Sequence, residues 1–350
     1  MKEIAEYLKW EKRGVALYDG DCVEVMRKIP DNSVDLIVTD PPYFQVKKEA
    51  WDNQWAGADE FVEWLGVLCE QWRRVLKPNG SLYCFASPQM RARVEIEVGR
   101  WFNIMPTVTW VKHNSIHLRV DRTARRSYFP QTEAIIFAEH HSADNIAKGE
   151  AGYQAKCDEL RGFVFEPLRA YIVGEFKRAG MLNTAGKIAA NVACGFSASA
   201  GGMASRHYFS RSQWCLPTEE HYKALRKLLN ENSGDYLRKE YDYLRKEYED
   251  LRRPFNIEPD TPFTDVWNFL TVGFYVGKHP CEKPIDMMDH IIKTSSREGA
   301  LVLDCFVGSG VAGESCFNLG REFIGIDLEL KHSIKRLTEA TSNSLWDATA

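Results

Sequence analysis

No run of about 18 apolar residues occurs along this chain, so a membrane-spanning helix is excluded. Paired cysteines are missing as well: nine are scattered over 350 residues without one C-x-x-C spacing. Neither a structural zinc site nor a disulfide framework is expected, no metal is expected at all, and a reducing compartment is the default. The opening Met1-Lys2-Glu3-Ile4 carries an acid early and lacks the apolar core of a secretion signal, so the cytoplasm is the expected location. There is no excess of basic residues either. Forty-five lysines and arginines stand against 49 acids, a formal net charge of −4. That excludes a generally basic nucleic-acid binder but leaves room for a local cationic patch. With 44% hydrophobic and 27% charged residues, the composition is that of a globular protein large enough for a core plus an insert.

What is present reads first as alternating strands and helices. Val15–Tyr18 and Val34–Thr39 are short β-branched apolar runs separated by the helix-like Asp21–Ile29. The spacing of Phe61, Leu65, Leu68, Trp72 and Leu76 predicts a helix over Ala58–Lys77, ended by a Pro78-Asn79-Gly80 turn. Strands are expected at Ser81–Ala86 and Thr132–Ala138. Near the C-terminus the theme returns, with helices at Pro284–Thr294 and Val311–Leu319 and strands at Ala300–Asp304 and Glu322–Asp327. Such alternation predicts a parallel α/β sheet covered on both faces.

Between 141 and 262 strand candidates thin out and helical segments dominate, which predicts a helical insert dividing the α/β core. The expected parts are 1–140, 141–262, 263–335 and a tail, 336–350. Within the insert a tandem repeat, Asp235-Tyr-Leu-Arg-Lys-Glu-Tyr241 and Asp242-Tyr-Leu-Arg-Lys-Glu-Tyr248, sets Leu237, Tyr241, Leu244, Tyr248 and Leu251 at heptad spacing. Such a stripe either packs within its own domain or forms a contact between two copies.

Three motifs carry chemistry. The strand Val34-Asp-Leu-Ile-Val-Thr runs into Asp40-Pro41-Pro42-Tyr43. Ligands of parallel α/β sheets bind beyond the carboxyl ends of strands, where this tetrad falls. The prolines remove two N–H donors and leave rigid carbonyl acceptors, so Asp40 with such a carbonyl suits an –NH2 group, and Tyr43 offers a face for stacking a base. The second motif is Leu301-Val-Leu-Asp304-Cys-Phe306-Val-Gly308-Ser-Gly310-Val-Ala-Gly313, with Asp327 closing the next strand 19 residues after Gly308. Glycines admit a ligand close to the backbone, and an acid at that offset can accept ribose hydroxyls. A dinucleotide fits this pattern too. Asp304 tilts the balance, because a carboxylate at the turn repels a pyrophosphate and suits the ammonium of a methionine moiety. The third motif is His279-Pro-Cys-Glu-Lys283-Pro284, in which Pro284 suits a first helical turn and Lys283 can meet a carboxylate.

In this order, over 15–140 and 278–330, the motifs resemble the amino-group (N6-adenine and N4-cytosine) DNA methyltransferases of permuted, β-type motif arrangement. The resemblance implies a Rossmann-like S-adenosylmethionine-dependent methyltransferase fold with a helical insert for target recognition. It implies site-specific methylation of double-stranded DNA, with S-adenosylmethionine as donor and the target base flipped out. Asp40, Pro41, Pro42 and Tyr43 take the catalytic positions. Asp304, Phe306, Gly308 and Gly310 line the methionine end of the cofactor, Asp327 its ribose and Asp21 its adenosine ring, with Asp40 and Lys283 in the same pocket. Trp110-Val-Lys112-His-Asn114 and Gln131-Thr-Glu133 resemble the lining of the target-base pocket. Aspartate at the first tetrad position favours adenine, since serine is commoner in N4-cytosine members. A homodimer and a cognate restriction enzyme are open partners. Rivals are methylation of RNA or protein glutamine, a catalytically silent nucleic-acid-binding module, and a dinucleotide oxidoreductase, which leaves the tetrad unexplained.

For holding DNA, Arg119, Arg122, Arg125 and Arg126 form a cationic stretch between strands, near Lys112. In the insert, Asn183–Ala193 and Ala200–Phe209 flank a Gly-Phe-Ser turn in a helix-turn-helix-like pattern, with Lys187, Arg206 and Arg211 on the expected DNA face.

Overall fold

Among the described residues ten strands join in one sheet: β1 (Leu8–Lys12), β2 (Val15–Asp19), β3 (Val34–Thr39), β4 (Leu76–Ala86), β5 (Asn103–Ile104), β6 (Val108–Val111), β7 (Thr132–Glu139), β8 (Val266–Trp267), β9 (Leu301–Asp304) and β10 (Glu322–Asp327). The order is β1-β2-β10-β9-β3-β4-β7-β6-β8, with β5 also on β7. This computed structural model describes residues 2–46, 49–112, 121, 123, 126–140, 165–211, 213–259 and 261–342. The chain divides into two units, 1–140 with 254–350, and 141–253.

In the first unit, β2, β10, β9, β3 and β4 run parallel and β7 lies antiparallel beside β4. Strand residues alternate between two apolar layers. Ile37, Cys84 and Leu303 face the helices Cys22–Met26, Ala58–Val75 and Arg91–Gly99. Leu36, Val38, Tyr83 and Val302 face Ile285–Ser295, Val311–Asn318 and Lys331–Ser342. Period-2 alternation with apolar residues on both sides is what a sheet buried on both faces requires. The result is the expected Rossmann-like α/β fold. Its decisive feature is that β9 and β10, from late in the chain, insert between β2 and β3, from early in it. Leu36 pairs with Val302 and Ile37 with Leu303, so the carboxyl ends of β3 and β9 finish side by side.

Several boundaries differ from expectation. The helix begun at Ala58 stops at Val75, not Lys77, and Pro78-Asn79-Gly80 lies inside β4. Val34 pairs with Leu76 but Leu36 with Ser81, so 77–80 loop out of the ladder as a wide bulge. The second unit ends at Arg253 rather than 262. Phe255 stacks on Phe137 at 5.6 Å and the Asn256 N–H donates to the Thr294 carbonyl at 2.9 Å, ties that local periodicity does not encode. The helix Lys331–Ser342 crosses the expected tail boundary at 335, because Leu337 and Thr341 are buried one turn apart.

The second unit packs the helices Glu166–Arg178, Thr184–Ala193, Glu219–Asn230 and Tyr241–Leu251 around Ile172, Phe176, Leu225, Leu237 and Leu244. The repeat is not one continuous helix. Leu237 has φ +51, and helix begins only at Tyr241. Leu237 and Leu244 are fully buried and Tyr241, Tyr248 and Leu251 pack on the same core, so the stripe is spent inside the unit. Nor do the described residues of 183–209 form a helix-turn-helix. A long connection follows Ala193, pinned by the buried Asn191, and ends in a single π-type turn, Ser205–Phe209. Helix-turn-helix motifs need two helices and a turn of about three to four residues.

Candidate active site

The tetrad leaves the sheet where β3 ends. Pro41 is buried, Pro42 and Tyr43 half-buried, and the Asp40 side chain is 20% exposed. The loop beyond is held by Asp52, a residue that no motif singles out. Its fully buried carboxylate accepts the Tyr43 and Val46 N–H groups at 2.7 Å each, and its carbonyl accepts from Gln45 at 2.8 Å. Phe44 and Gln45 lie in the left-handed region, at φ +60 and +58. That conformation costs non-glycine residues energy, and the three hydrogen bonds offset it.

Around Asp40 the structure gathers a buried, charge-balanced cluster. Lys283, 7% exposed and one residue before Pro284 caps Ile285–Ser295, donates to Asp40 Oδ2 at 2.5 Å and to the Tyr43 hydroxyl at 3.3 Å. The Phe85 ring lies 4.8 Å from its ammonium. From β7, Glu133 accepts the Tyr43 hydroxyl at 3.0 Å and the Lys112 ammonium at 2.5 Å, with Lys283 at 3.5 Å. Asp40 Oδ1 is buried and has no hydrogen-bond partner. Burial pushes the Asp40 carboxyl above its usual range; Lys283 pulls it down and Glu133 pushes it up. Burial acts on Glu133 in the same direction, but Lys283 and Lys112 outweigh it and hold that carboxyl below its usual range. The Lys283 ammonium resists burial and is held above its ordinary value by Asp40 and Glu133. Burial, Asp40 and Glu133 keep the Tyr43 phenol well above its own.

On the adjacent strand, Asp304 ends β9 with its side chain buried, Oδ1 accepting the Phe306 N–H at 3.0 Å. Burial pushes this carboxyl up to about 8. The turn that follows favours glycine: at Gly308 (φ +44) a Cβ would press on the His279 ring at 3.0 Å, and at Gly310 (φ +80) one would meet Ser333 Cα at 2.8 Å. Asp327 closes β10 beside Asp19 of β2, and its Oδ2 accepts the Gly308 N–H at 2.8 Å. Asp21 lies at the same end of the sheet, where its Oδ1 caps Cys22–Met26 through the Val23 and Glu24 N–H groups at 2.9 and 3.1 Å. The Phe306 ring joins the aromatic group of Trp55, Phe61 and Trp64, 5.9 Å from Trp64. Asp40, Tyr43, Lys283, Asp304, Phe306, Gly308, Gly310, Asp327 and Asp21 thus share one sheet edge.

The basic residues fare differently. Lys112 points into the cluster, where its ammonium donates to Glu133. Arg126 is exposed, with its Nη1 3.3 Å from the Thr123 carbonyl, and Arg119, Arg122 and Arg125 lie outside the described residues, as does His113-Asn114. In the second unit Arg206 is exposed, Lys187 half-buried, and Arg211 lies 3.5 Å from Glu166. Glu133 was legible as part of the segment resembling the target-base pocket lining, but its partners were not.

Fold and site together define an α/β enzyme that sets an acceptor cluster on one strand against a glycine-rich cofactor turn on the next. The chain belongs to the DNA methylase family, whose model matches residues 34–336. Similar proteins include Type II methyltransferase M2.DpnII of Streptococcus pneumoniae, 34% identical over 94% of this chain and 91% of that protein. The DNA adenine methyltransferase YhdJ of Escherichia coli (strain K12) is 24% identical over 98% of this chain and 90% of its own length. Type II methyltransferase M.BglII of Bacillus subtilis is 24% identical over 90% of this chain, which spans 66% of that relative.

Proposed function

We propose that this DNA methylase transfers the methyl group of S-adenosylmethionine to N6 of adenine at a specific site in double-stranded DNA. One observation carries the proposal. Asp40 presents a buried oxygen, Oδ1, with no hydrogen-bond partner, at the end of a strand adjacent to the one that bears Asp304 and the glycine turn. A buried acceptor left empty is costly, and an amino hydrogen satisfies it.

The donor fits the residues present. Asp304 is a buried carboxylate suited to a cationic ligand, the two glycines leave backbone room, and Asp327 and Asp21 supply acceptors at the ribose and adenosine end. When bound, the sulfonium makes its methyl carbon electrophilic toward direct displacement. The residues of this chain do the positioning. Asp40 and the Pro41 carbonyl accept the two amino hydrogens and direct the nitrogen lone pair, Pro42 keeps the tetrad rigid, and Tyr43 stacks on the extruded base. Lys283 opposes the effect of burial on Asp40 and favours its ionised form. Aspartate rather than serine at the first position favours adenine, as does the name of the YhdJ relative. The helical unit reads the target, with Lys187, Arg206 and Arg211 facing the DNA, and Arg126 of the first unit is a further DNA contact. The setting is the cytoplasm, and a restriction enzyme of the same specificity is the expected counterpart.

Asp40→Ala tests this. Methyl transfer to DNA is expected to fall by roughly 10²- to 10³-fold or more, while calorimetry finds cofactor affinity near that of the wild type. Tritiated-methyl transfer at the wild-type rate refutes the role given to Asp40.

A further inference from the structure

Asp40 is not the only carboxylate at the tetrad. Glu133 lies beside it, and between them the two acids hold two lysines and one phenol. Each Glu133 oxygen is engaged: Oε1 by Lys112 at 2.5 Å, and Oε2 by the Tyr43 hydroxyl at 3.0 Å, with Lys283 at 3.5 Å. The Lys283 ammonium bonds Asp40 through Oδ2 alone and leaves Oδ1 open. A buried four-charge cluster is a poor source of stability, since apolar residues of the same volume serve a fold as well or better. Here it touches two members of the tetrad directly, which points to function.

We infer that Glu133 is a positioning residue for methyl transfer: it anchors the Lys283 ammonium on the Oδ2 side of Asp40 and fixes the Tyr43 ring through its hydroxyl. This rests on the adenine-methylation reading above. Without a second carboxylate, Lys283 is free to bridge both Asp40 oxygens and compete with the incoming amino group. Without the Glu133 contact, Tyr43 keeps only the 3.3 Å bond from Lys283, and its ring is held less firmly on the side where the base stacks. Lys112 completes the arrangement by neutralising Glu133, so that the cluster as a whole carries no net charge.

The role has an electrostatic signature. Asp40 faces Lys283, Glu133 and Tyr43, with the Cys84 thiol and Asp304 also close. Removing the Glu133 charge leaves the lysines in excess and lowers the pH at which Asp40 takes up a proton. Removing the Lys112 charge raises it.

The test is kcat against pH for wild type, Glu133→Gln, Lys112→Gln and Asp40→Ala, at saturating cofactor and DNA, where Asp304 no longer governs binding. Glu133→Gln is expected to lower kcat by roughly 10- to 100-fold with the KM for S-adenosylmethionine unchanged. Its acid limb moves to lower pH, and that of Lys112→Gln moves to higher pH. A merely structural role predicts no such opposite shifts. Should Glu133→Gln fail to fold, the upward shift in Lys112→Gln, whose side chain is 24% exposed, carries the test alone. Wild-type kcat and unmoved limbs in both variants, with Asp40→Ala inactive, overturn the inference and leave the methylation reading standing. A wild-type protein that transfers no methyl to adenine overturns both.

Discussion

Asp304 is the residue whose ionisation is most exposed to test. Its carboxyl is pushed up to about 8 by burial, the Phe306 N–H opposing only in part. Over the range between its ordinary value and that raised one, the folded chain keeps a proton that the unfolded chain has lost. Asp304 therefore detracts from stability as pH rises through this window. The sign is reversed for a cationic ligand, which binds the ionised form. S-Adenosylmethionine, whose own α-ammonium is lost above about pH 8, is expected to bind about tenfold more weakly at about pH 6 than at about pH 7, with proton release on binding. Calorimetry in two buffers of different ionisation enthalpy reads both. Asp304→Asn should bind weakly at every pH with the trend gone; an unchanged pH trend in that variant assigns the titration elsewhere. Asp52 acts differently, through backbone. Asp52→Asn sets an amide –NH2 against one of the Tyr43 and Val46 N–H donors, so kcat should fall by roughly 10-fold or more and the melting temperature should drop with it. Equal kcat shows that the loop does not depend on that carboxylate.

At the scale of elements, the glycine turn is the least forgiving. Gly310→Ala puts a side chain at φ +80 against Ser333, 2.8 Å away. It should destabilise the protein by about 1–2 kcal/mol or more, read as a lower melting temperature; an unchanged melt means the turn relaxes freely. What the sequence revealed follows the same physics. Strands ending in an acid and a turn were legible, since β3, β9 and β10 each bury both faces and finish in Asp40, Asp304 and Asp327. The end of the helix at Val75 was not, because Leu76 continues its apolar stripe and only pairing with Val34 pulls it into β4. The heptad stripe packs within its own unit, one of the two expected outcomes, but not from a single helix, since its first leucine is buried from a left-handed turn. Glu133 needed the fold, because its partners Lys112, Lys283 and Tyr43 lie on three different segments.

At the scale of the whole molecule, the topology brings together what the chain keeps apart. The insertion of β9 and β10 between β2 and β3 makes the tetrad and the glycine turn neighbours, and a long helical unit can then separate them in sequence at no cost to the site. That unit is where DNA specificity should reside. Arg206→Gln and Lys187→Gln should each reduce the slope of log binding against log salt by about 1, and slopes equal to wild type remove those residues from the DNA face. The central claim, that Asp40 at the end of β3 presents an adenine amino group to a donor held at the end of β9, is tested most directly by long-read sequencing of DNA from cells expressing the wild type or Asp40→Ala. N6-methyladenine at one recurring sequence with the wild type, and none with the variant, is the predicted result. Modification retained in the variant, or adenines unmodified with the wild type, contradicts it.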